Sequence, residues 1–149
     1  MNKESIIAKR MWVMKVKRGE GVSLVRATEE SMSKQGLPYY VGVSAENVGA
    51  ARISLNLIVI PPGGHAEAHY HRDHESAIYL IKGRVKTRYG KQLEKEIISE
   101  AGDFLFIEPN VPHQPFNLDD KETAVAVVTR SDPREQESVV LYPSVQGNG

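Results

Sequence analysis

The sequence predicts an all-β protein, a sandwich or barrel of short strands, on three observations. Runs rich in Val, Ile, Leu and Tyr recur from residue 22 onward and are punctuated by Gly, Pro, Asn and Asp. Within the clearest run, residues 53–57, apolar and polar residues alternate with the period of a half-buried strand. The chain of 149 residues is long enough to bury one core and contains no cysteine, so packing must hold it without disulfides.

Taken in order, residues 1–20 show weak periodicity and read as an N-terminal segment, frayed or a short helix, with no assigned function. Residues 21–145 read as a single β-barrel domain. Its expected strands are 22–28, 39–44, 52–60, 76–82, 84–89, 93–98, 103–107, 122–129 and 138–142, with one helical turn at 29–34. Lys82-Gly83, Tyr89-Gly90 and the stretch from Glu100 to Asp103 read as hairpin turns, because Gly supplies the positive φ they need. In 52–60 the alternation assigns Ile53, Leu55, Leu57 and Val59 to the core and Ser54 and Asn56 to the outside. Ile58 and Ile60 then make the outer face apolar at that end. Such a face calls for a cover, either a second copy in a homodimer or the chain's own N-terminal segment.

Nineteen basic residues balance nineteen acidic ones, so no long-range field favours nucleic acid or an anionic membrane. No apolar run approaches the roughly 18 residues of a membrane span. The apolar stretch from Met11 to Met14, set among basic residues, is too short for a signal-peptide core. A cytoplasmic protein with a small-molecule partner is the expectation.

Four of the five histidines, His65, His69, His71 and His74, fall within residues 65–74, with Glu75 next in line and His113 far downstream. On a strand, His69 and His71 share one face while Tyr70 points the other way. Two imidazoles then converge on one ion. His113 and Glu75 would complete a three-His, one-carboxylate set suited to Mn, Fe, Co, Ni, Cu or Zn, with open positions for a ligand. His65 reads as an ordinary half-buried histidine. No nucleophile elbow, phosphate-binding glycine pattern or zinc-peptidase helix competes with this reading.

The pattern resembles the cupins. Their first motif is Gly, five residues, His-x-His, three or four residues, Glu, six residues, Gly; here Gly63, His69, His71, Glu75 and Gly83 follow it, with seven residues before the last Gly. Their second motif is matched by Gly102, His113 and Asn117, with Glu108 and Asn110 in place of its Pro and Gly. Asn tolerates the left-handed turn that Gly would make. The resemblance implies a double-stranded β-helix, or jelly-roll, barrel with one divalent metal inside, often in a homodimer. It implies ligand roles for His69, His71 and His113, and less directly for Glu75.

Counted back from Gly83, the family spacing falls on Ser76 instead. Glu75 faces inward only if a bulge or turn lies between it and Ile78; otherwise His74, Ser76, Ile78 and Leu80 face inward and His74 becomes the fourth ligand. Glu75 is the expected ligand, since Arg72-Asp73 reads as a turn. The functional expectation is a metal-dependent enzyme on a small oxygenated organic molecule, oxygenase-type first and isomerase or lyase second. His74 and Tyr79 are its candidate acid/base residues. The rival is a non-catalytic ligand-binding or sensor protein.

Overall fold

Alternating side chains along the predicted runs do form antiparallel strands, and two sheets of them face each other. The computed structural model describes residues 14–27 and 30–142. The first sheet has six strands in the order β10 (Phe104–Ile107), β7 (Ser76–Lys82), β12 (Ala124–Arg130), β5 (Ser54–Ile60), β4 (Pro38–Val43) and β3 (Ser31–Met32). The second has five, in the order β13 (Val139–Leu141), β6 (His69–His71), β11 (His113–Asn117), β8 (Arg84–Tyr89) and β9 (Lys95–Glu100). Strands distant in sequence are neighbours at most positions, with β12 between β5 and β7 and β6 between β13 and β11, as a jelly roll requires, while β3–β4–β5 and β8–β9 are consecutive. Ile58, Ile60, Leu80, Ala126 and Val128 from the first sheet meet Val85 from the second in one buried cluster. That cluster is the barrel's floor. Among the described residues, no helix is long and apolar enough to cross a membrane.

The predicted turns at Gly83, Gly90 and Gly102 all have positive φ. Gly83 is additionally constrained by space, because a Cβ there would lie 2.8 Å from that of Ala124. Asn110 takes the left-handed turn expected of it, at φ 66°. Its amide and Asp73 bond reciprocally, Asp73 N to Asn110 Oδ1 at 3.0 Å and Asn110 Nδ2 to Asp73 Oδ1 at 3.3 Å. The Arg72-Asp73 turn is thereby tied to the loop that leads into β11.

Three expectations are corrected. Residues 14–18, read as part of an irregular N-terminal segment, form β1 (Met14–Arg18), which pairs with β2 (Ser23–Ala27); residues 1–13 lie outside the described residues, as do 143–145 at the end of the expected domain. The helical turn at 29–34, of which residue 29 is outside the described residues, is instead strand β3 followed by a turn. The described α-helix is α1 (Ala45–Val48), started by Ser44, whose Oγ accepts from Asn47 N while Asn47 Oδ1 accepts from Ser44 N.

The third correction is the facing of β5. Ser54, Asn56, Ile58 and Ile60 point inward, and Leu55 is 39% exposed. Asn56 can be inside because partners far along the chain satisfy it. Its Nδ2 donates to Glu135 Oε1 at 3.3 Å and its Oδ1 accepts from Gly42 N. Ile58 and Ile60 therefore belong to the core and say nothing about a second copy.

Candidate metal centre

The three-residue strand β6 directs His69 and His71 into the barrel, each 2% exposed, and turns Tyr70 away. His113 opens β11 directly opposite His69 in the antiparallel pairing, and is 4% exposed. The ring centroids are 5.1 Å apart for His69 and His71, 4.3 Å for His69 and His113, and 5.5 Å for His71 and His113. One nitrogen from each ring lies within 4.8 Å of the others.

The second nitrogens are informative. Nδ1 of His69 donates to Glu67 O at 2.7 Å and Nδ1 of His113 donates to Val111 O at 2.9 Å. A carbonyl accepts only, so both rings are fixed as Nδ1–H tautomers with the Nε2 lone pair free. His71 has no partner on either ring nitrogen among the described residues. Unsatisfied buried acceptors cost free energy, and a cation is the group that would satisfy three at once. The donor set fits a divalent transition metal.

Electrostatics agree. Burial pushes His69 well below the usual imidazole value, with repulsion from His113 and Arg130 adding to it. His113 is lowered to about 4 by burial, against the bond to Val111, and His71 is lowered further for the same reason with Arg130 next in importance. All three are neutral at pH 7, the form a metal needs.

The remaining candidates lie elsewhere. Glu75 is exposed, its backbone N–H bonded to Ser131 Oγ and its carbonyl to Ser131 N. The expectation that it ligates is corrected by register. A bulge in β7 does exist, but it falls at Ile81: Leu80 pairs with Ala126 and Lys82 with the adjacent Val125. No slip separates Glu75 from Ile78, so Ser76 is the inward residue, 2% exposed and opposite Arg130. His74 sits at the rim, its side chain 33% exposed and its Nε2 3.7 Å from Asp132 Oδ2. Tyr79 is on the outer face of the first sheet against Phe104, with ring centroids 4.8 Å apart, because it is out of phase with Ile78 and Leu80. It does not border the interior. His65 stacks on Phe116 outside the triad.

Two residues not singled out by motif spacing complete the interior. Arg130 ends the inward series Ala124, Ala126, Val128 on β12 and is 4% exposed. Its Nε donates to Ser76 Oγ at 3.1 Å and its Nη1 to Glu135 Oε2 at 3.2 Å. Burial lowers its pKa while Glu135 and Asp132 work in the opposite direction. Gln35, from the turn between β3 and β4, is 2% exposed and its Oε1 has no partner. Both border, with His69 and His113, an otherwise mostly apolar cavity of about 70 Å³. The period-two series that ends on a charge was the readable signal for Arg130; nothing local marks Gln35.

The cupin-domain family model matches residues 56–129, which span the His-x-His strand, His113 and Asn117. The chain belongs to the cupin superfamily. Among solved structures this cupin is similar to oxalate decarboxylase of Lactobacillus farciminis in its formate complex, with TM-score 0.65 and 19% identity over 81% of this chain and 35% of that one. It is also similar to an uncharacterized conserved protein with a double-stranded β-helix domain from Klebsiella pneumoniae, with TM-score 0.60 and 16% identity over 74% and 88%. A recombinant oxalate oxidase in complex with glycolate gives TM-score 0.62 and 21% identity over 74% and 57%. At such identities the likeness shows the fold alone. The cupin spans about a third of the length of the oxalate decarboxylases it matches. No curated protein matches its sequence.

Proposed function

We propose that this cupin is a metal-dependent enzyme acting on a small oxygenated organic molecule in the cytoplasm, with oxygenase-type chemistry ranked ahead of isomerase or lyase chemistry. The observation that carries the reading is the set of three buried imidazoles whose free nitrogens converge beside a mostly apolar cavity that His69 and His113 border. His69, His71 and His113 would hold one divalent ion from among Mn, Fe, Ni, Cu and Zn. When bound, the ion supplies a Lewis acid or redox centre. A solved similar protein, oxalate decarboxylase of Bacillus subtilis, is described with Mn(II) centres.

The chain's own residues do the rest. Glu67 and Val111 carbonyls orient two of the imidazoles. The apolar wall of Leu37, Ile58, Leu80 and Val128 keeps bulk water from the ligand. His74, whose Nε2 is 3.7 Å from Asp132 Oδ2 and whose side chain is one-third exposed, would exchange protons with solvent. A non-catalytic ligand-binding role is favoured by one observation, that Glu75 and Tyr79 both stand outside the cavity.

The deciding experiment is elemental analysis of tag-free protein followed by oxygen-uptake and product screening against small acids, diols and sugars. One equivalent of transition metal with turnover of any of these supports the enzyme. Stoichiometric metal with ligand binding and no turnover supports the sensor reading, and no metal under any reconstitution removes both.

A further inference from the structure

The position that family spacing, counted back from Gly83, reserves for a carboxylate is held by Ser76, and the register of β7 faces it inward. Its hydroxyl is bonded to a cation, Arg130 Nε at 3.1 Å. No carboxylate of the described residues joins the histidine group. A divalent ion held there by neutral imidazoles alone would keep its full charge in a buried cavity, where uncompensated charge is expensive. Arg130 adds no compensation, since Glu135 only balances the guanidinium itself. Asp132 acts on Arg130 and Asp103 borders the cavity, but neither joins the histidine group, so a carboxylate from solution is the group that could reach the ion itself.

The cavity is built to receive it. Arg130 has five N–H donors, and its protein partners are Ser76 at Nε and Glu135 at Nη1, which leaves Nη2 without one among the described residues. Arg130 and His69 border the same cavity, so one planar anion can meet the guanidinium and the ion together. Gln35 borders that space, and its buried Oε1, without a partner among the described residues, would be satisfied by a ligand O–H or N–H that reaches it. The inner space of about 70 Å³, at about 10–15 Å³ for each water, matches a ligand portion of about six non-hydrogen atoms.

We propose that the centre is completed by a small carboxylate from solution, preferably a hydroxy acid, and that metal and carboxylate bind as a coupled pair because Ser76 and Arg130 stand where a protein carboxylate would. This rests on the metal reading above. Coupling is reciprocal, so each component should raise the affinity of the other by the same factor.

The test is calorimetric titration of tag-free, metal-depleted full chain with Co(II), Mn(II) and Zn(II) at constant ionic strength. Each titration is run in acetate, glycolate or acetamide, and the cobalt absorption spectrum gives a second readout. Tightening by about tenfold or more in acetate, more in glycolate, and none in the neutral isostere acetamide is expected. Ser76→Glu should bind metal tightly without added carboxylate and lose the response. If that variant does not fold, the Arg130→Gln/Glu135→Gln double variant, which keeps a hydrogen-bonded pair without charge, should retain metal and lose most of the acetate effect. Metal binding that is indifferent to acetate overturns the coupling and leaves the metal reading intact. No metal binding in any arm overturns both.

Discussion

Arg130 is the residue at which the interior of this barrel is most exposed to a single change. Its charge is sheltered by Glu135, which itself accepts from Asn56 and Gln136. Removing one partner leaves the other buried and uncompensated, whereas removing both leaves only a packing problem. Glu135→Leu should therefore cost about 3–5 kcal/mol in urea denaturation, and adding Arg130→Met to it should recover part of that loss; a double variant less stable than the single would count against the pair. The imidazoles make a second prediction. In the folded, metal-free protein His113 titrates at about 4, against about 6.5 unfolded, so between these values the unfolded chain binds protons that the folded chain does not. Stability is full above about 6.5 and falls as pH drops toward 4, by up to about 1.4 kcal/mol per pH unit for each buried imidazole. Denaturation of metal-depleted protein between pH 7.5 and 4.5 should show this slope, and His113→Gln should reduce it by that residue's share while His69 and His71 keep theirs. An identical slope in the variant would mean that His113 is not held neutral by burial.

At the scale of elements, Asn117 closes the barrel where β11 runs out. Its Nδ2 donates to the carbonyls of Ile60, Pro61 and Glu122 at 3.1, 3.2 and 2.8 Å, and its Oδ1 accepts from Asp119 N. One side chain joins the end of β5 to the start of β12. Asn117→Leu should destabilise by about 2–4 kcal/mol, because buried carbonyls lose their donor, while metal affinity of the folded fraction stays unchanged. A loss of metal affinity at unaltered stability would move Asn117 from the frame to the site. The strand runs and the glycine turns were readable because alternation and positive φ are local properties. So was the pairing of His69 with His71, two residues apart. The facing of β5 was not, since both of its faces carry large apolar residues and the inward Asn56 is bonded to Glu135, from another part of the chain. Nor was the fourth position of the site, which depends on where β7 absorbs its extra residue, and Ile81 carries no local mark of a bulge. Strand β1 escaped because its apolar pattern is weak, whereas its partner β2 lies within the expected run 22–28.

On the scale of the whole molecule, a homodimer remains the expectation, but on a different surface. Ile58 and Ile60 are inside. Some exposed apolar residues, such as Val22 and Leu24 on the β1–β2 hairpin and Ile97 and Ile98 on β9, lie elsewhere, but a group of them lies on the outer face of the six-stranded sheet: Phe104 at 83%, Phe106 at 59%, Ile81 at 47% and Tyr79 and Leu55 at 39% each. These are contiguous, since Phe104 lies beside Tyr79, Tyr79 beside Val127, and Val127 beside Leu57 in the registers of neighbouring strands. The central side chains are uncharged, and the Lys82–Glu122 ion pair borders them, Lys82 lying opposite Val125 in the register. A charge-depleted apolar centre is the composition of an interface core rather than of solvated surface. The two phenylalanines alone expose roughly 300 Å², more than a third of the roughly 800 Å² each partner gives up in a standard interface. A second copy applied through the same face meets this need with closed two-fold symmetry. Light scattering at micromolar concentration should give twice the chain mass of 16.6 kDa, and Phe104→Lys with Phe106→Glu should return it to the monomer value with the circular dichroism of the wild type. A wild-type monomer would reject the dimer, and a dimer that survives both substitutions would place its interface elsewhere.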